Sequence, residues 1–219
     1  MNKALLVAPV LALATTAASG TVLFENMPAD GTTGGSLGIG GTANVVQIAN
    51  DFEVSGVKSS LKSTSFWTIG TVPATQVFDY FVWRDVSGAP GPLVASGTGA
   101  NVVVTDVGAT PAQGFQRWDA DLADPVALIP DVRYWFGIQF AQAQATGTFG
   151  WRYSSSTFGN MPVGRLNGTG PLIAFPTDMA FQLNGEVPVA PTALLMLAGL
   201  GGLFGSRITR QRLGNIGDQ

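Results

Sequence analysis

Arg133-Tyr134-Trp135-Phe136-Gly137-Ile138-Gln139-Phe140 decides the fold class. Aromatic and branched side chains dominate it, and such residues suit a pleated, half-buried surface. Ahead of it, Val77-Phe78-Asp79-Tyr80-Phe81-Val82-Trp83-Arg84-Asp85 and Phe115-Gln116-Arg117-Trp118-Asp119-Ala120-Asp121-Leu122 alternate with the period of two that belongs to a strand. Shorter runs of the same kind stand at Thr21-Val22-Leu23-Phe24-Glu25, at residues 45–54, 57–69, 93–95, 102–104 and 148–153, and at Met179-Ala180-Phe181-Gln182-Leu183-Asn184-Gly185. Residues 31–41 read as a Gly/Thr/Ser-rich loop, and Ser87-Gly88-Ala89-Pro90-Gly91-Pro92 as a tight turn. No amphipathic helix of ordinary length interrupts them. The expected fold is all-β, a jelly-roll-like β-sandwich over residues 21–186.

Composition agrees with that reading and excludes much chemistry. Of 219 residues, 29 are Gly and 13 are Pro, which is punctuation for many short strands. Charged residues make up 11%, against roughly 25% in typical globular chains. The net charge is −3, and no basic stripe interleaves with aromatics, so nucleic acid is not an expected partner. With no Cys and no His there is no Cys nucleophile, no Ser-His-Asp triad and no His/Cys zinc site. No disulfide can form, so the domain must be stable without one.

The two ends carry addresses. Met1-Asn2-Lys3, the apolar run Ala4-Leu5-Leu6-Val7-Ala8-Pro9-Val10-Leu11-Ala12-Leu13-Ala14, and the small residues Ala17-Ala18-Ser19-Gly20 follow the order of a secretory signal. Residues 1–20 are therefore expected to be a signal helix, cut near residues 18–20. At the other end, residues 189–205 are uncharged and apolar, near the short limit of a membrane span, and Arg207, Arg210 and Arg212 follow. Arginines directly after a span hold that end in the cytoplasm, which leaves residues 21–186 outside. The expected segments are 187–212 for sorting and a transmembrane helix, and 213–219 for a polar tail.

Val187-Pro188-Val189-Ala190-Pro191, then the apolar run, then the arginines, resemble the PEP-CTERM and VPLPA-CTERM class of bacterial sorting signals. The resemblance implies an exosortase-type sorting enzyme as partner, membrane lipid around the tail helix, and a mature form at the cell surface or outside the cell. Within the motif, Ala190 stands where the second proline is expected, and Pro191 follows it. A plain membrane anchor is the alternative. Asn50-Asp51-Phe52-Glu53-Val54, Val82-Trp83-Arg84-Asp85 and the closing Ala180-Phe181-Gln182-Leu183-Asn184-Gly185 also resemble exported bacterial domains that pair with various C-terminal anchors.

Few residues invite chemistry. Asp119 and Asp121 share a strand face at a separation of roughly 6.5–7 Å, which suits paired acids or a calcium ligand set with backbone carbonyls. The plainer reading is a solvated strand face, for them and for Asp51 and Glu53 alike. Trp67, Trp83, Trp118, Trp135 and Trp151 read as core or half-buried residues, with a sugar-stacking platform as the alternative. No cofactor is expected. The leading expectation is a non-enzymatic envelope or matrix protein of structural or adhesive type, with exopolysaccharide as a candidate partner. A carbohydrate-binding module and a glycan hydrolase using paired carboxylates are the alternatives.

Overall fold

A computed structural model describes residues 20–28, 36–38, 46–70, 75–108, 114–140, 149–166 and 170–188. All regular structure among them is strand, in chain order β1 (Thr21–Asn26), β2 (Ser36–Gly38), β3 (Val46–Glu53), β4 (Ser59–Ile69), β5 (Phe78–Val86), β6 (Ala89–Thr98), β7 (Ala100–Asp106), β8 (Phe115–Leu128), β9 (Arg133–Phe140), β10 (Gly150–Arg152), β11 (Val163–Leu166), β12 (Ile173–Ala174) and β13 (Phe181–Glu186). The helices expected within 1–20 and 187–212 lie outside the described residues.

Two antiparallel sheets result. In the first, β4 is central. β8 runs along one edge of it and pairs onward to β7. Along the other edge β13 pairs with Ser60 through Phe66, and β10 takes over at Thr68 and Ile69. β1 lies outside β13, and β2 outside β10. The second sheet runs β12-β11-β3-β9-β5-β6.

The inward side chains of both sheets meet in one aromatic core. Phe66 of β4 meets Phe78 of β5 edge-on with ring centres 4.9 Å apart, and Phe136 of β9 stacks on Phe181 of β13 at 5.8 Å. Trp118 of β8 meets Phe140 of β9 at 5.2 Å. Burying an indole strands its N–H unless an acceptor is supplied. Thr68 Oγ1 accepts from Trp118 Nε1 at 2.8 Å, and the Ala180 carbonyl accepts from Trp151 Nε1 at 2.7 Å. Thr68 in turn donates to Gln116 Oε1 at 3.1 Å, so the polar atoms in this core form a chain.

Three local expectations are corrected. The turn after β5 is Ser87-Gly88 alone, with φ of 54° and 81°. Positive φ at both central residues is the two-residue hairpin geometry whose twist matches its strands. Pro90-Gly91-Pro92 belong to β6, an edge strand with register shifts, where a missing N–H is tolerated. Within residues 31–41, expected to be loop throughout, Ser36–Gly38 form β2 against β10. β8 runs past Asp124-Pro125 to Leu128, because the pairing with β4 shifts between Leu61 and Ser63 and leaves the proline without a partner on that strand.

Candidate functional site

The outer face of the first sheet is polar and open. Along β8, Trp118, Ala120 and Leu122 point into the core, so Arg117, Asp119 and Asp121 project outward. Asp119 and Asp121 therefore share a face, as the strand period requires. Register places Ser65 of β4 beside Asp119 and Ser63 beside Asp121. On the far side of β4, Gln182 pairs with Ser65 and Asn184 with Ser63. Together with Asn101 of β7 these residues line a shallow groove that is open to solvent.

The groove's charges are paired within it. One oxygen of Asp119, Oδ1, accepts from Ser65 Oγ at 2.6 Å and from Arg117 Nε at 2.9 Å, and Arg117 Nη2 lies 2.8 Å from it. Arg117 Nη2 also donates to Ser65 Oγ at 3.2 Å. Asn101 Nδ2 donates to Asp121 Oδ2 at 2.8 Å, and Gln182 Nε2 donates to Asn184 Oδ1 at 2.8 Å. The Arg117 guanidinium lies 5.5 Å over the Trp67 ring, which fixes its plane. The result is a row of oriented donors and acceptors. Among the described residues no three acidic, His or Cys side chains converge on a metal-sized site.

The outer face of the second sheet is built differently. Asp51 of β3, Trp135 of β9 and Trp83 of β5 stand side by side in register. Trp83 stacks on Phe81 at 5.4 Å, and Ala49 and Val163 pack with them into a second small apolar cluster. Trp135 Nε1 donates to Asp85 Oδ1 at 2.7 Å. Residues 154–162 cross this face: Asn160 bonds Asp51, and a β-carbon on Gly88 would sit 3.2 Å from the Asn160 side-chain oxygen.

One reading of the sequence is corrected here. Asp51, taken with Glu53 as a solvated face, is fully buried beneath this crossing segment. Burial pushes its carboxyl up to about 6, against the lowering influence of the Asn160 amide and the Arg133 guanidinium; the charge of Asp178 adds to the rise. The tryptophans are buried, as their reading as core or half-buried residues expects: all five are at most 6% exposed, which leaves no sugar-stacking platform. Of the sorting motif, Val187 and Pro188 follow β13 directly, while Val189, Ala190, Pro191, Arg207, Arg210 and Arg212 lie outside the described residues.

Arg117, Asn101, Ser63, Ser65, Gln182 and Asn184 were not singled out from the sequence. They are alternate residues on four strands, and only cross-strand register, which a single sequence does not print, brings them together. No family model and no curated protein matches the chain.

Proposed function

We propose that the chain is an exported, non-catalytic surface protein, a jelly-roll sandwich held outside the inner membrane by its C-terminal segment, whose open sheet face makes weak contacts with exopolysaccharide. The neighbour orders β1-β13-β4-β8 and β3-β9-β5-β6 support the jelly roll, because consecutive strands alternate between the sheets from β3 to β5 and again from β8 to β9. Signal, anchor and exosortase sorting rest on the sequence of residues 1–20 and 187–212.

The groove around Arg117 and Asp119 carries the binding reading. Amide, hydroxyl and carboxylate groups held in fixed directions match the donor and acceptor pairs of sugar hydroxyls. A shallow open face accepts a polymer from either end. Weak affinity follows from the missing aromatic platform, so avidity from many displayed copies supplies retention. Hydrolysis fits less well, because both carboxylates lie on one strand of an open face, rather than on opposite sides of a scissile bond.

Affinity electrophoresis of the full-length protein in detergent, through gels containing neutral or anionic soluble polysaccharides, tests this. At least one polymer should retard the parent, and Asn101→Ala combined with Arg117→Ala should remove most of the retardation. Migration unaffected by every polymer overturns the binding reading. Mass spectrometry of the exported form tests the address: an N-terminus near residues 18–20 is expected, and an intact Met1 overturns it.

A further inference from the structure

Ser154-Ser155-Ser156-Thr157-Phe158-Gly159-Asn160 has no charge and no strand period, and its internal hydrogen bonds join only Ser154 and Ser156, from the Ser156 amide to Ser154 Oγ at 3.0 Å and between the two hydroxyls at 3.3 Å. Three side chains from elsewhere hold it. Asn26 Oδ1, at the end of β1, accepts from the hydroxyls of Ser154 and of Ser156, the latter at 2.6 Å. Asp178, in the segment before β13, accepts from the Phe158 amide. Asp51 Oδ2 accepts from the Asn160 amide at 2.8 Å and from Asn160 Nδ2 at 3.1 Å. Gly159, with φ of 60°, lets the backbone close onto Asp51, because a β-carbon there would collide with the carboxylate.

The charges around these acids do not balance. Asp51 is 0% exposed and Asp178 is 3% exposed. The facing cation is Arg133 of β9, whose Nε lies 3.6 Å from Asp51 Oδ2 and 4.0 Å from Glu53 Oε2, so Glu53 competes for it. Arg133 also lies 5.8 Å over the Phe158 ring. The second oxygen of Asp51, Oδ1, is buried and has no hydrogen-bond partner among the described residues. A buried carboxylate in that position is costly to ionise.

We propose that Asp51 and Asp178 form a proton-operated latch that holds residues 158–160 against the Asp51 end of β3, tight in acid and looser at neutral pH. Closing the loop buries both acids, and burial raises both above the ordinary carboxyl value. Opening returns them to water and to ordinary acidity, so the open form releases protons that the closed form keeps. Closure is therefore complete below about pH 4 and weakens as pH rises towards about 6, where Asp51 ionises beside Asp178.

Hydrogen exchange on the full-length protein in detergent micelles tests the latch. Protection is expressed against the intrinsic rate at each pH, at about pH 4.5 and about pH 7. In the parent, the Phe158 and Asn160 amides should lose about tenfold or more of their protection between the two. Amides along the β4–β8 ladder should lose much less. Asp51→Asn, which keeps the shape and removes the charge, should flatten the change at Asn160. Should Asp51→Asn not fold, Asp178→Asn carries the same comparison at Phe158. Equal protection at both pH values in the parent overturns the latch. So does a loss that survives both substitutions, or one shared equally by the β4–β8 ladder.

Discussion

The outer faces of the two sheets start from similar residues and end differently. On β8, Asp119 and Asp121 stay at the surface, each paired with a neighbour on the same face. On β3, Asp51 has the same alternating context, yet residues 154–162 lie across it and remove it from water. What separates them is the company each keeps. The β8 face offers Ser65, Gln182 and Asn184, which bond to one another or to Arg117 and Asp119 along an open groove. The β3–β9–β5 face offers Trp135, Trp83 and Phe81, which water does not satisfy, and Ala49 and Val163 pack with them. Asp51 and Asp178 then supply the acceptors that the covering backbone needs.

That contrast can be broken at its strongest point by removing the aromatic surface. Trp135→Ala should cost about 3–5 kcal/mol in chemical denaturation, as for a core residue, although Trp135 points away from the main core. A cost below about 1 kcal/mol would mean that the covered face is merely shielded surface.

Next in size is the pH dependence. Because the folded state holds the Asp51 proton more tightly than the unfolded chain, this contribution is fully present below about pH 4 and is lost as pH rises through about 6. The loss amounts to at most about 3 kcal/mol, at 1.36 kcal/mol per pKa unit. Thermal melts of Asp51→Asn between these limits should lack that slope, and an unchanged slope would assign it elsewhere.

Gly159→Ala should cost about 1–2 kcal/mol, since alanine is strained at positive φ and its methyl meets Asp51. Asp51→Gly alongside it should recover part of the loss if the collision matters, and a purely additive double mutant would leave only backbone strain. The smallest effect belongs to the open face. Asp119→Ala removes a half-exposed ion pair with Arg117 and should change stability by under about 1 kcal/mol. A larger change in equilibrium unfolding would make the groove part of the framework rather than a surface free to vary.

The long alternating runs were legible because period two survives any sheet order. Tyr80 and Val82 on β5, and Trp118 and Ala120 on β8, are buried as their pattern requires. The closing strand β13 also stood out, with Phe181 and Leu183 inward and Gln182 and Asn184 outward. Short strands did not stand out. β11 contains Gly164, β2 sits among glycines, and both exist only because a partner, β3 or β10, offers them hydrogen bonds. The fate of Asp51 was hidden for a related reason. Its burial depends on Gly159 and Asn160, more than a hundred residues away, and nothing local distinguishes it from Asp119.

One pairing bears on how such a chain is assembled. Among the described residues β1, the first strand, pairs only with β13, and Thr21 meets Gly185. β13 also fills the edge of β4, so neither neighbour is satisfied until the last strand arrives. Contacts so distant along the chain make closure slow. A polypeptide delivered from its N-terminal end would thus stay unlocked through almost its whole length, and would click shut only when β13 arrives.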